Sequence, residues 1–89
     1  MLVLKRTSQF KRDYKKALRQ NHDTFELTKV LIKLSRRDKL DLKYQDHPLT
    51  GEYKSYRDCH IEPDWVLIYK QTDEELILAR IGSHAELFG

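Results

Sequence analysis

The apolar positions of this chain change their period once, near Leu42, and that change sets most of what the chain can fold into. Before it, Leu27, Val30, Leu31 and Leu34 recur at i, i+3, i+4 and i+7, the spacing that gathers side chains on one face of a helix. Asp23 and Glu26 stand at the front of that run like a capping box, with Asp in the place of Ser or Thr. An earlier stripe, Phe10, Tyr14, Ala17 and Leu18, follows Thr7 and Ser8, either of which can accept from the free N–H groups of a first turn. Asn21 marks a turn between the two, so the pattern predicts an antiparallel helical hairpin. Leu2-Val3-Leu4, ahead of it, reads as a short strand.

After Leu42 the helical period is lost. Pro48 and Gly51 punctuate a loop, and the segments 53–60, 65–70 and 75–81 read as strands, the second rich in Trp, Val, Ile and Tyr. Pro63-Asp64 and Asp73-Glu74 supply the turns between them. The expected fold is a single α+β domain over residues 1–89, in the order β-α-α-β-β-β. Its sheet is mostly antiparallel, with the helical hairpin packed on one face.

A chain of 89 residues buries one modest core. It holds no run of about 18 apolar residues, so no membrane-spanning helix is expected, and its first residues lack the apolar stretch of a signal peptide. The lone Cys59 excludes an internal disulfide and suits a reducing compartment, so a cytoplasmic location without a membrane partner is expected. Charge is divided unevenly. Residues 1–43 carry 13 Lys/Arg against 5 Asp/Glu, and residues 44–89 carry 4 against 9. The first half therefore faces a polyanion or is simply a pair of solvated basic helices, while the second half has other work.

Three of the four histidines, His47, His60 and His84, fall in that second half, at strand ends or in loops. Adjacent strands lie about 4.8 Å apart, so side chains from three strand ends can meet over one face. Alternation places Arg80, Gly82 and His84 on one side if the last strand stays extended through His84. Imidazole titrates near neutrality and serves as base or acid. RNA brings its own nucleophile, the 2′-OH, so cleavage needs a base, an acid and a cation near the phosphoryl oxygens. His47, His60, His84, Asp64 and Arg80 supply these without a metal. Arg80 suits a phosphate clamp, or else pairs with Asp58 or Asp64. Among the aromatics, Trp65 and Tyr69 have the spacing of core residues, whereas Phe88 is free to stack on a base. A metal site is the weaker reading: no His-Glu-x-x-His helix and no paired cysteines are present.

Three blocks carry a resemblance: Asp46-His47-Pro48-Leu49-x-Gly51; Tyr56-Arg57-Asp58-x-His60-x-Glu62-Pro63-Asp64-Trp65-x-Leu67-Ile68-Tyr69; and Arg80-x-Gly82-x-His84-x-x-Leu87-Phe88. Together they closely resemble the YafQ family of bacterial toxins, in the RelE/ParE superfamily. The resemblance spans nearly the whole chain, by residue in the second half and by pattern in the first. It implies a RelE-like domain and the toxin of a type II toxin–antitoxin system. It further implies an endoribonuclease that cuts mRNA in the ribosomal decoding site without a metal or other cofactor. A cognate antitoxin would silence it and repress the shared operon.

Carried onto this chain, the family's catalytic positions are His47, His60, Asp64 and His84. Arg80 and Phe88 match phosphate and base contacts, and Asp58 and Trp65 match supporting positions. With the ribosome as partner, the basic helix residues Lys11, Arg12, Lys15, Lys16 and Arg19 would dock on ribosomal RNA phosphates. Two other readings stand beside this one. The first is a non-nuclease toxin resembling the ParE branch, which lacks the acid–base cluster. The second is an RNA- or protein-binding module without turnover.

Overall fold

The computed structural model describes residues 1–89. The elements are β1 (Val3–Arg6), α1 (Ser8–Arg19), α2 (Thr24–Ser35), β2 (His47–Pro48), β3 (Arg57–Glu62), β4 (Trp65–Gln71), β5 (Glu75–Gly82) and α3 (His84–Phe88). Single 3-10 turns at Leu42–Tyr44 and Gly51–Tyr53 flank β2. The five strands form one sheet in the order β1-β5-β4-β3-β2. β1 runs parallel to β5, and the other pairings are antiparallel. This is the expected α+β domain with its helical hairpin.

Both helices are capped where the sequence predicts, although the expected Asp23/Glu26 box forms only its Asp23 half, the Asp23 N–H going to Glu62 and the Glu26 carboxylate to Tyr44 and Lys29. The Thr7 hydroxyl accepts from the Phe10 N–H at 3.0 Å, and the Asp23 carboxylate accepts from the Glu26 N–H at 3.0 Å. Their apolar faces, with Phe10, Ala17, Leu27, Val30 and Leu34, bury against Cys59, Ile61, Trp65, Leu67, Tyr69, Leu76, Leu78 and Ile81 of the sheet. Leu18 departs from the expected stripe and stays half-exposed, because the helix turns it off the face that Phe10 and Ala17 bury.

The opposite face of the sheet is covered as well. Val66, Ile68, Ala79 and Leu87 form a second, smaller cluster, packed over by Leu49, Tyr53 and Tyr56. That double cover explains why Trp65 to Tyr69 are buried without alternation. It also corrects the expected strand 53–60, whose first residues instead cross this face. Gly51–Tyr53 form a 3-10 turn, Ser55 takes φ +83°, and pairing starts only at Arg57. Two register shifts interrupt the sheet, one at His60/Glu62 and one at Ile68/Tyr69. Each lies beside a residue of the site described next.

Candidate active site

The pleat settles which residues share the face opposite the helices. Asp58 pairs across to Ile68, and Ile68 to Arg80; His60 pairs to Val66, and Val66 to Gly82. Asp58, His60 and Arg80 therefore lie on the side of the smaller cluster. β2 adds His47 directly beside Asp58. The last strand ends at Gly82, so the condition that would align His84 with Arg80 by alternation is not met: Ser83 caps a short helix that begins at His84. The Ser83 hydroxyl accepts from the Glu86 N–H at 3.2 Å, and the Glu86 carboxylate accepts from the Ser83 N–H at 2.9 Å. This helix points the imidazole of His84 back over β3.

The result is a row of three imidazoles. Ring centroids of His47 and His60 are 6.5 Å apart, and those of His60 and His84 are 5.0 Å apart. The outer two are held by their Nδ1 atoms. His84 Nδ1 lies 2.7 Å from Asp64 Oδ1, which also accepts the backbone N–H of His84 at 2.9 Å. These hydrogen bonds hold the Asp64 carboxyl below the usual carboxylate range. His47 Nδ1 lies 2.7 Å from the Gln45 carbonyl oxygen. A carbonyl and a carboxylate only accept, so in both residues Nδ1 carries the proton and Nε2 is left for chemistry.

Asp58 sits beneath the row, 3 % exposed. Its Oδ1 is 3.1 Å from His47 Nδ1, but that N–H is aimed at Gln45, and no donor is aligned on Oδ1. Burial raises the Asp58 carboxyl, while the three histidines together pull it down. The row opens on both sides. His60 lines a groove of about 530 Å³ with Tyr44, Glu62 and Pro63. Phe88 lines a second groove of about 470 Å³ with Leu49, Tyr53 and Leu87. The Phe88 ring is half-exposed and lies 6.2 Å from that of His84, one helical turn away.

Other expected site residues are placed differently. Arg80 pairs with neither Asp58 nor Asp64. Its Nε and Nη2 donate to Asp13 of α1, at 3.1 and 3.0 Å. Trp65 is buried on the helix side, stacked under His22 with centroids 4.6 Å apart, and so serves Asp64 only by anchoring the residue next to it. Of the basic residues, Lys11, Arg12, Lys15 and Arg19 are exposed. Lys16 is instead engaged by Glu86 of α3, whose carboxyl is drawn down to about 2 chiefly by that ammonium and by the Ser83 N–H. Sequence reasoning missed Asp13, Gln45, His22 and the Lys16–Glu86 link. Only α3 had a local signal, the Ser83-x-x-Glu86 spacing.

Comparison with known proteins places this fold in a family. A family model described as the bacterial toxin of a type II toxin–antitoxin system, YafQ, matches residues 2–89. The chain belongs to that family. It is 47 % identical over 85 residues to the mRNA interferase toxin YafQ of Escherichia coli K12, covering 93 % of this chain and 91 % of the relative. The E. coli DinJ–YafQ complex contains a chain that superposes with a TM-score of 0.91 at 41 % identity, each chain covered in full. A copper-bound mutant toxin from Helicobacter pylori superposes with a TM-score of 0.95 at 44 % identity, covering 99 % of this chain and 100 % of that one. No helix is long and apolar enough to cross a membrane.

Proposed function

We propose that this toxin is an mRNA endoribonuclease that works on the ribosome by metal-independent acid–base catalysis. The carrying observation is the imidazole row, in which the proton of each outer ring is fixed at Nδ1. Neutral His47 then offers a bare Nε2, as a base does. His84, its Nδ1–H held by the Asp64 carboxylate, offers Nε2–H when protonated, as an acid does. In the reaction the 2′-OH attacks the adjacent phosphorus as the base takes its proton. The P–O5′ bond breaks, and the acid protonates the departing oxygen. The products are a 2′,3′-cyclic phosphate and a 5′-OH. His60, between the two, lies within reach of either proton or of the phosphoryl oxygens, and Arg80 offers the phosphate clamp.

The E. coli relative's name as an mRNA interferase supports the substrate, and its complex with DinJ supports a cognate antitoxin as the inhibitory partner. Neutralising Lys11, Arg12, Lys15 and Arg19 together lowers ribosome affinity and flattens its salt dependence without unfolding the domain. The deciding assay is mRNA cleavage in a purified translation system, for wild type and for His84→Ala, at matched magnesium with a selective chelator of transition metals. Because a mutant relative from H. pylori binds copper, a parallel arm adds copper. Chelator-resistant cleavage that His84→Ala loses, with a 2′,3′-cyclic end by mass spectrometry, upholds the reading. No cleavage by wild type, or a 3′-OH product, removes it.

A further inference from the structure

Asp13 is the one acidic residue of α1, and its side chain is 10 % exposed, on a helix whose other charges are solvated. Its two oxygens accept four hydrogen bonds. Oδ2 takes Arg80 Nε at 3.1 Å and the Ile81 N–H at 3.2 Å. Oδ1 takes Arg80 Nη2 at 3.0 Å and Gln9 Nε2 at 2.9 Å. The contact falls on the β5 register shift, where Ala79 has no partner on β4. The Thr7 hydroxyl donates to the Ala79 carbonyl there at 2.7 Å. The start of α1 thus satisfies the backbone that the bulge leaves free and grips the side chain that the bulge delivers.

Bidentate pairing uses two of the five N–H groups of Arg80 and leaves three. The guanidinium also meets Tyr53, which lines the groove beside Phe88, so Asp13 holds it from the helix side on the sheet face that Arg80 shares with Asp58 and His60. An arginine held in this way loses its rotamer freedom on folding rather than on meeting a phosphate. We propose that Asp13 is a positioning residue for RNA cleavage, fixing Arg80 so that N–H groups not bound to Asp13 meet the scissile phosphate. This rests on the nuclease reading above.

The test is a double-mutant cycle on cleavage of ribosome-bound mRNA. Asp13→Asn keeps an oxygen for the Ile81 N–H but sets an amide donor against Arg80. It is expected to lower kcat about 10–100-fold with KM little changed, the scale of a misplaced group. In an Arg80→Ala background the same change has no further effect, which a merely structural role would not produce. Equal losses in both backgrounds, or no loss in either, overturn the proposal. A second measurement needs no Asp13 variant. In the wild-type NMR spectrum, the Arg80 Nε–H, assigned by its absence in Arg80→Lys, should be resolved and slow to exchange. It should remain so when a non-cleavable 2′-deoxy oligonucleotide is added. A signal averaged with the surface arginines overturns the proposal. Absence of cleavage by wild type removes the nuclease reading and the proposal together, whereas lost coupling with cleavage intact removes the proposal alone.

Discussion

Asp64 binds His84 twice, through the backbone N–H at 2.9 Å and the ring Nδ1 at 2.7 Å, so one carboxylate fixes both the start of α3 and the tilt of the imidazole it carries. Its carboxyl lies below the ordinary value of 3.8. A depressed carboxyl keeps its pairing fully above that ordinary value and loses it only as pH falls through the lower folded one, so the pair is intact throughout the neutral range.

Asp64→Asn should therefore lower kcat by about 10–100-fold, since it loosens the ring that the carboxylate holds in place. An unchanged single-turnover cleavage rate argues against a role for the Asp64–His84 pair in the chemical step.

Asp58 leads to the opposite expectation for stability. Its carboxyl is raised by burial and its Oδ1 has no aligned donor. A raised carboxyl favours the folded state only when protonated, so its charge weakens the fold as pH rises through the folded value. Asp58→Asn should raise Tm at neutral pH. Relief of about 1 kcal/mol moves the Tm of a domain of about 60–100 residues by about 4–8 °C. It should also slow cleavage, because the row then loses the anion beneath it. A lower Tm by calorimetry at pH 7 contradicts this account.

The Lys16–Glu86 link separates two roles for one basic residue. Glu86 titrates at about 2 against an ordinary 4.5, so its contribution is complete above about pH 4.5 and fades as pH falls towards 2. Both side chains are more than a third exposed, which screens the pair and holds its worth to about 1 kcal/mol or less at low salt. Lys16→Met should flatten stability in that acid window and reduce cleavage by loosening α3, with ribosome affinity nearly unchanged. Lys15→Met should do the reverse. Thermal melts from pH 2 to 5, run beside ribosome-binding measurements, tell the two apart.

Much of the fold is legible in the amino-acid order. α2 is readable because four apolar residues keep one period, and β4 and β5 because β-branched runs are bounded by turn residues. The histidines are readable as chemistry because imidazole is uncommon and three of them cluster near strand ends. Tyr53 and Tyr56 mislead, because aromatic residues favour strands and also serve as covers for a sheet face. Here Gly51 and Ser55 bend the chain at positive φ, and the rings lie over Val66 and Ile68. Asp13 and Arg80 stand 67 positions apart, and no local pattern links them. α3 escapes notice because a five-residue helix shows too little period, although its capping box is present.

Phe88 allows the sharpest separation of binding from folding. Its ring is 46 % exposed, 6.2 Å from His84 and 6.2 Å from Tyr53, which meets it edge to face at 86°. Half of its surface is already in water, so Phe88→Ala should cost the fold little. A base stacked on that ring next to the acid should be held less well. Stacking is worth about 1–3 kcal/mol per base, so kcat/KM should fall about 5–150-fold. Phe88→Tyr should keep most of the activity and Phe88→Leu little of it, since leucine restores apolar area without a π face. If leucine performs as well as tyrosine on ribosome-bound mRNA, the groove beside His84 holds the chain by burial alone, and base stacking there is excluded.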